Sequence, residues 1–272
     1  DGRHADRSRR IPVCVLAYNQ RNETSIKERR MKKGIIIDES FWNIFPDASI
    51  AYAIVRNFKA DGDVPDSERA EIAALLKEAN EIANGNLVSS TISQNPCVAV
   101  WRDAYTKFKK KKGARCSMEN LMKRTLNGNP VGSIAPTVDI SNAISLKYAF
   151  PVGQEDLDSI AEALHLGVSE EPLPFLPIGE DREEPSLPGE MLYYDAEGAV
   201  CRCMNWRDGV RTAVTDATRA ATLCMENIES DRIGDLQAAL DEYCMLAKKS
   251  LDADIVVAGV LTKDDPAVEF DY

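Results

Sequence analysis

The sequence predicts an α+β fold in which a mixed β-sheet is flanked by helices. Segments with helical spacing of apolar residues and segments rich in strand-forming residues follow one another without strict alternation. A doubly wound parallel sheet would require that alternation. The chain has 272 residues, 44% of them hydrophobic, which is enough to build a sizeable core.

The N-terminal segment differs from the rest of the chain. Residues 1–33 hold ten basic and four acidic residues, whereas the remainder holds 23 and 40. Met31 resembles a natural start, so residues 1–30 are expected to be a disordered basic extension or upstream translation. The alternative is a basic arm that binds RNA. Residues 31–272 are predicted to form a single domain.

Five segments predict helices because their apolar residues recur three or four apart or because capping residues bound them. The clearest is an amphipathic segment that follows a capping Asp66-Ser67 pair. Ser117 and Asp139 are expected to be the N-caps of two later helices. The predicted helices are 67–84, 98–108, 117–127, 139–148 and 231–251.

Strands are expected where β-branched and aromatic residues cluster. Residues 191–195 and 199–204 flank Ala-Glu-Gly and predict a hairpin, whereas 219–228 fits either a strand or a helix. The remaining predicted strands are 35–37, 50–55, 175–178 and, as the final strand, 254–261.

The scarcity of histidine limits the chemistry that the chain can perform. His4 and His165 are the only two, and His165 lies in an apolar segment more typical of a strand than of a catalytic base. Cys201 and Cys203 are expected to share one face of a strand, where we interpret them as packing residues. A metal site would need further ligands, and no Gly-rich phosphate loop is present. We therefore expect no metal and no cofactor.

The seven cysteines are an odd number scattered through a mid-sized chain, which indicates reduced thiols. No apolar run approaches the roughly 18 residues of a membrane helix. No apolar segment follows the basic N-terminus as it would in a signal peptide. The expected location is the cytoplasm, without a membrane partner.

One basic cluster stands against a net charge of −11. A surface this acidic does not attract a phosphate backbone by default, so no DNA partner is expected. The cluster is either a solvated face or an RNA-binding surface. Its members are Lys107, Lys109, Lys110, Lys111, Lys112 and Arg115.

Three segments carry a family resemblance. They are Trp101–Tyr105 with the basic turn and Ser117–Leu121, then Val138–Gly153 with 156–160, and finally Asn205–Arg207 with Val214–Thr218. Together they resemble the B3/B4 editing domain of the phenylalanyl-tRNA synthetase β subunit. The middle segment is the most specific, since it is similar without a gap to Val-Asp-(Ile/Val)-Thr-Asn-Tyr-Val through Gln-Pro-Met-His-Ala-Phe-Asp. The resemblance implies the α+β fold of that domain.

The resemblance also implies a site. In the synthetases this domain hydrolyses tyrosine wrongly attached to the phenylalanine tRNA. By position, the Thr-Asn pair of the editing pocket falls on Ser141 and Asn142. The pocket proline falls on Pro151, and the acid of His-Ala-Phe-Asp falls on Asp156. A hydroxyl and an amide can orient a polar substrate, and proline fixes a wall of the pocket.

Two positions depart from the family pattern. The family histidine falls on Gly153. The glutamate that recognises the tyrosine hydroxyl falls on Gly209 or Val210, depending on the anchor used. Discrimination between hydroxylated and plain rings rests on such polar partners, so the resemblance does not carry tyrosine specificity over to this chain.

Further candidates follow from the chemistry of the side chains. Trp206 beside Arg207 can stack a ring and bind a carboxylate or phosphate, or can be a core residue beside a surface ion pair. Asp156 and Asp158 either hold a water or cation or cap the following segment. Ser145 shares a helix face with Asn142, which Lys147 does not.

The expected function is binding of aminoacyl-tRNA, or of its amino acid, and hydrolysis of mischarged aminoacyl-tRNA in trans. The alternatives are a non-catalytic RNA- or amino-acid-binding module without synthetase activity, and an unrelated small-molecule enzyme. Aminoacylation is not expected, because no ATP-binding motif of a synthetase core is present. No catalytic residue is assigned. The predicted substrate-binding residues are Ser141, Asn142, Ser145, Pro151, Gly153, Asp156, Asn205, Trp206 and Arg207.

Overall fold

Ten strands and six helices make up the part of the chain that the computed structural model describes, residues 32–271. The strands are β1 (Lys32–Ile37), β2 (Ser49–Arg56), β3 (Val152–Asp156), β4 (Ala163–Ser169), β5 (Glu190–Asp195), β6 (Gly198–Arg202), β7 (Arg207–Asp208), β8 (Ala220–Asn227), β9 (Asp254–Leu261) and β10 (Ala267–Asp271). The helices are α1 (Glu39–Trp42), α2 (Asp66–Asn86), α3 (Pro96–Ala104), α4 (Ser117–Leu126), α5 (Pro136–Tyr148) and α6 (Ile233–Leu251).

The strands form two sheets. The six-stranded sheet has the order β10-β1-β4-β5-β6-β7 and is mixed, because β1 and β4 pair in parallel and the other neighbours are antiparallel. The four-stranded sheet has the order β3-β8-β2-β9 and is antiparallel throughout. The predicted α+β class with a mixed sheet and flanking helices is confirmed.

Both faces of the four-stranded sheet are covered, as the alternation of side chains along β2 shows. Ile50, Tyr52 and Ile54 pack in the core that the two sheets share. Ala51 and Ala53 pack instead against helices α5 and α6 on the other face. This double burial explains why the sequence of β2 does not alternate between apolar and polar residues.

Several predicted elements are confirmed and others are wrong. The hairpin of β5 and β6 and the long helix α6 are present, and 220–227 is a strand rather than a helix. Helix α3 ends at Ala104, four residues earlier than predicted, although Phe108 is still buried. No strand forms at 175–178, where only Pro177 bridges to Gly209. The segment 254–261 is not the final strand, because β10 follows it.

The capping predictions fail in detail. Helix α2 begins at Asp66, so Pro65 is its N-cap. Ser117 is the first helical residue of α4, and its buried hydroxyl has no hydrogen-bond partner. Asp139 lies inside α5, where its carboxylate accepts a hydrogen bond from the Ile134 backbone N–H at 2.7 Å.

His165 lies on strand β4 as expected, with Nδ1 3.0 Å from the Asp38 carboxylate. Cys203 lies beyond the end of β6 at a φ of +49°, so it does not share a strand face with Cys201. No helix within residues 32–271 is long and apolar enough to cross a membrane. The predicted extension 1–30 lies outside the described residues.

Candidate functional site

A small cavity lined by both apolar and polar side chains lies between the two sheets. Strands β3 and β8 of the four-stranded sheet form one wall, and β4 to β7 with the loop that joins β6 to β7 form the other. Its volume is about 50 Å³. A water molecule needs about 10–15 Å³ on this measure, so the cavity has room for a few waters. Its polar lining residues are Ser117, Glu155, Asn205, Asp208, Thr222 and Glu226.

Strand alternation aims one polar stripe of β8 into this cavity. Thr222, Cys224 and Glu226 line it, whereas Leu223 and Met225 pack against the helices on the other face. On the neighbouring strand β3, Gly153 pairs with Cys224 and Glu155 pairs with Thr222. The two strands therefore place Glu155, Thr222 and Glu226 on one wall of the cavity, together with Gly153 and Cys224.

Glu226 is held in a hydrogen-bonded network. The Tyr193 hydroxyl donates to one carboxylate oxygen at 2.7 Å, and Asn205 Nδ2 donates to the other at 3.0 Å. Burial raises the pKa of Glu226 to about 7, against the pull of these two donors. A carboxyl in this range exchanges its proton at neutral pH, as a general base must.

Two further carboxyl groups face the same space. Burial, followed by the charge of Asp208, raises the pKa of Glu155 well above its usual range. Burial also raises the pKa of Asp208. The Cys201 thiol lies beside them, and burial and Asp208 raise its pKa well above the usual value, so it is no thiolate nucleophile.

The loop that carries Asn205 and Trp206 has an unusual backbone. Cys203 and Met204 both adopt left-handed φ angles, of +49° and +69°, which side chains other than glycine rarely adopt. The backbone N–H of Cys203 donates to Glu190 at 3.0 Å, and that of Met204 donates to Met191 O at 2.7 Å. These bonds offset the strain and turn the chain back toward the cavity.

A buried ion pair stabilises the start of this loop, at the end of β6. The Arg202 guanidinium donates to both carboxylate oxygens of Glu190, at 2.9 and 2.7 Å. Burial by itself would raise the pKa of Glu190, but Arg202 and the Leu187 N–H hold it below its usual value. The pair therefore stays charged inside the protein and fixes the start of the loop.

The basic cluster lies against the same loop. The backbone N–H of Lys111 donates to Cys203 Sγ at 3.3 Å, and the Lys111 ammonium lies 5.8 Å from the centre of the Trp206 ring. The Ser117 N–H donates to Asn205 O at 3.1 Å. The segment from Lys107 to Ser117 is therefore a neighbour of the cavity, which the sequence did not reveal.

Three of the six residues of the basic cluster form ion pairs with acidic residues within residues 32–271, and three do not. Lys107 pairs with Asp103, Lys111 with Glu184, and Arg115 with Glu119. The other three lysines form no ion pair with a residue that the structure describes. They are Lys109, Lys110 and Lys112.

The structure does not bring all predicted substrate-binding residues together. Gly153, Asn205 and Trp206 line the cavity. Ser141 and Ser145 do not, because they lie on α5, on the opposite side of the four-stranded sheet. Their hydroxyls donate to Gln154 Oε1 at 3.1 Å and to Phe150 O at 2.7 Å, both structural contacts.

The other four predicted residues also lie outside the cavity. Asn142 is half-buried on α5, and Pro151 is buried just before β3. Asp156 caps the turn after β3, because its carboxylate accepts the Asp158 N–H at 2.9 Å. Arg207 pairs with Glu180 at 3.0 Å and so has a surface ion pair.

Neither Gly209 nor Val210 faces the cavity. A Cβ on Gly209 would meet the Phe175 ring at 3.0 Å, and Val210 is 46% exposed. A glutamate does stand in the cavity, but it is Glu226. The sequence alone does not identify it, because 219–228 fits either a strand or a helix. The available signal is a glutamate that directly follows the mainly apolar run 220–225, since buried charges require partners.

A model of the B3/4 domain family matches residues 100–259. The chain belongs to this family. Every residue that lines the cavity of the B3/4 domain falls inside the matched range. None of the curated proteins compared with the chain matches it.

Among solved structures, the B3/4 chain is similar to an N-terminal fragment of the phenylalanyl-tRNA synthetase beta subunit from Pyrococcus horikoshii. The identity is 13% and the TM-score 0.47, over 87% of this chain and 54% of the other. The chain thus spans about half the length of that fragment.

Proposed function

We propose that this B3/4 protein binds the aminoacylated end of a tRNA and hydrolyses the ester of a mischarged amino acid in trans. The observation that carries the proposal is Glu226, a buried carboxyl with a pKa of about 7 that lines a cavity of the family's domain. Family membership and the sequence resemblance to an editing domain supply the substrate class.

Ester hydrolysis needs a base, an attacking water and room for both. In the proposed step, Glu226 takes a proton from a water as the water oxygen bonds to the ester carbonyl carbon. The bond to the ribose oxygen then breaks, and that oxygen receives the proton. The products are a free amino acid and a free tRNA terminus. Tyr193 and Asn205 keep the carboxylate oriented through the step.

The basic cluster supports the RNA part of the proposal. Lys109, Lys110 and Lys112 have no acidic partner among the described residues, and the cluster contacts the loop that carries Trp206. Unpaired lysines at the side of a cavity can bind the phosphates that lead to a tRNA end. Trp206 is half-buried at this place, where it can stack a terminal base.

The substrate side chain is expected to be compact. The cavity holds a few waters, and a Cβ on Gly153 would meet nothing within 4 Å, so the space above Gly153 is open. Gly153 stands where the resemblance places a histidine, which would fill that space. We propose that Glu226, rather than a residue at 209 or 210, supplies the glutamate of this site.

The test is release of amino acid from a panel of mischarged tRNAs by the full chain. Release from at least one member, lost in Glu226→Gln and kept in the exposed control Glu81→Gln, supports the proposal. No release above background from any member rejects hydrolysis.

A non-catalytic binding module is the second candidate, and Gly153 favours it because no histidine among residues 32–271 lines the cavity. Such a module would be stabilised by its ligand without turnover, by about 2.7 kcal/mol at a hundredfold excess over Kd. A thermal shift with charged tRNA in the absence of amino acid release identifies this case.

A further inference from the structure

Glu155 is the carboxyl group of the cavity whose hydrogen bonding is incomplete. Its side chain is 6% exposed, and its buried Oε2 atom has no hydrogen-bond partner. The Thr212 hydroxyl is close enough to lower the pKa of Glu155, but it too is buried without a hydrogen bond of normal geometry. Buried polar atoms nearly always have partners, so this oxygen is free to accept a hydrogen bond from a ligand.

Glu155 and Glu226 differ in what surrounds them. Glu226 already receives hydrogen bonds from Tyr193 and Asn205, whereas Glu155 Oε2 receives none. Among residues 32–271, no basic side chain lines the cavity. The nearby Arg211 is held by Asp195, to which it donates at 2.6 and 2.9 Å. On the Glu155 side of the cavity, the carboxyl groups therefore have no basic side chain among the lining residues that the structure describes.

The size and chemistry of the space select the kind of ligand. Within residues 32–271, no group of three or more histidine, cysteine or acidic side chains could hold a metal ion. An ammonium group is compact and carries three hydrogen-bond donors, which suits two carboxyl groups and a free hydroxyl. Asp208 and the unpartnered Ser117 hydroxyl line the same cavity.

We propose that Glu155, together with Asp208, binds a cationic amino group, and that in the reaction proposed above this group is the α-ammonium of the aminoacyl ester. The inference rests on the proposed function for the identity of the amine. It assigns Glu155 to substrate selection and leaves Glu226 to act on the water.

Binding of this kind releases a proton. Burial, then Asp208, raises the pKa of Glu155 well above its usual range, whereas the Thr212 hydroxyl and Arg211 oppose the rise and Asp195 adds to it. Glu226 and Cys201 face the same space. A raised pKa favours the protonated form of the Glu155 carboxyl. When the ammonium binds, the carboxyl O–H bond breaks, the proton leaves to solvent, and the carboxylate accepts the N–H groups.

The test uses the full chain and two stable mimics of a charged tRNA end. In 3′-deoxy-3′-(alanylamino)adenosine an amide replaces the labile ester, and the lactoylamino analogue carries a hydroxyl in place of the ammonium. Calorimetry should show about tenfold tighter binding of the alanyl probe. Titrations in two buffers of different ionisation enthalpy should show that binding of the alanyl probe releases protons, because the ammonium favours the ionised form of Glu155.

The variants decide whether Glu155 is responsible. Glu155→Gln should remove the preference for the alanyl probe, and the exposed control Glu170→Gln should keep it. Thermal unfolding checks that each variant is folded. If Glu155→Gln does not fold, Asp208→Asn is used in its place and should likewise reduce the preference for the alanyl probe. Equal affinities in the wild type, no binding of either probe, or a preference that survives Glu155→Gln would overturn the inference.

The outcome for the proposed function is separate. An ammonium preference without deacylation of any tRNA in the panel supports this inference and rejects hydrolysis. Deacylation without the preference supports hydrolysis and rejects the role of Glu155.

Discussion

Asn205 links Tyr105 to Glu226 through the two ends of one amide. Its Oδ1 accepts from the Tyr105 hydroxyl at 2.8 Å, and its Nδ2 donates to Glu226 at 3.0 Å. The Tyr105 hydroxyl also lies 2.8 Å from Cys203 O. The amide orientation is thereby fixed, and the loop after β6 is tied both to strand β8 and to the end of helix α3. The position of the Glu226 carboxylate is thus fixed by contacts from separate parts of the chain.

The first prediction concerns stability as a function of pH. The folded-state pKa of Glu226 is about 7, above the ordinary 4.5, so its contribution to stability is fully present below about 4.5 and is lost as pH rises through 7. Glu226→Gln cannot ionise. Between pH 4.5 and 8, the free energy of unfolding of this variant should rise relative to that of the wild type by up to about 3 kcal/mol. Urea unfolding at both pH values measures this, and a difference independent of pH contradicts it.

The second prediction concerns the pH profile of hydrolysis. A base must be ionised, so deacylation by the wild type should rise with pH and level off above about 7. Glu226→Gln should be slower by a factor of about 10² to 10⁴ and should lose this rising limb. Single-turnover rates from pH 5.5 to 8.5 test both points. A limb that persists in the variant would assign the base elsewhere.

The third prediction concerns RNA affinity. Replacing Lys109, Lys110 and Lys112 with alanine should weaken tRNA binding and lower the slope of log K against log salt by about 2, if all three contact phosphates. The exposed lysines 77, 248 and 263, changed together, are the matched control. Filter binding at several salt concentrations gives both slopes. Equal slopes for the two triple variants would exclude the cluster as the RNA-binding surface.

The fourth prediction concerns the buried ion pair under the loop. Arg202→Met leaves the Glu190 carboxylate buried without its partner and should cost about 3–5 kcal/mol of unfolding free energy. The control is Arg207→Met, which breaks a more exposed pair with Glu180 and should cost under about 1 kcal/mol. Denaturant unfolding compares the two. Similar small losses would show that Arg202 does not support the fold.

The fifth prediction concerns the open space above Gly153. The φ of Gly153 lies outside the left-handed region and its Cβ position is empty, so Gly153→Ala should raise stability by about 0.4–1 kcal/mol. Gly153→Val should remain folded but fill the cavity and abolish binding of the alanyl probe. Calorimetry on both variants measures this. Undiminished binding by Gly153→Val would place the ligand elsewhere.

Much of the fold could be predicted because it depends on local patterns. The spacing of Leu236, Leu240 and Tyr243 indicates α6 without any knowledge of its partners, and all three are buried. Helix boundaries are predicted less accurately, because neither Ser117 nor Asp139 is the N-cap that the sequence suggests. Proline at the first position of α5 begins that helix earlier. Local preference indicates that a helix exists, but tertiary contacts decide its first turn.

The candidate site was only partly predictable. Gly153, Asn205 and Trp206 were predicted and do line the cavity. Ser141 and Asn142 are close to Gly153 in sequence, yet α5 and β3 put them on opposite sides of a sheet. Gly153 lies on the cavity face of β3, whereas its neighbour Gln154 contacts Ser141 on the helix face, so a shift of one residue along β3 would reverse the arrangement.

The sequence by itself determined the B3/4 resemblance, the α+β class and the basic cluster, because each depends on residues that are near one another in the chain. The tertiary structure decided that Glu155, Asp208 and Glu226 share one cavity and that the basic cluster lies beside it. These carboxyl groups come from three different strands, β3, β7 and β8. Their unusual pKa values arise from burial and mutual proximity, which only the packing of the two sheets creates.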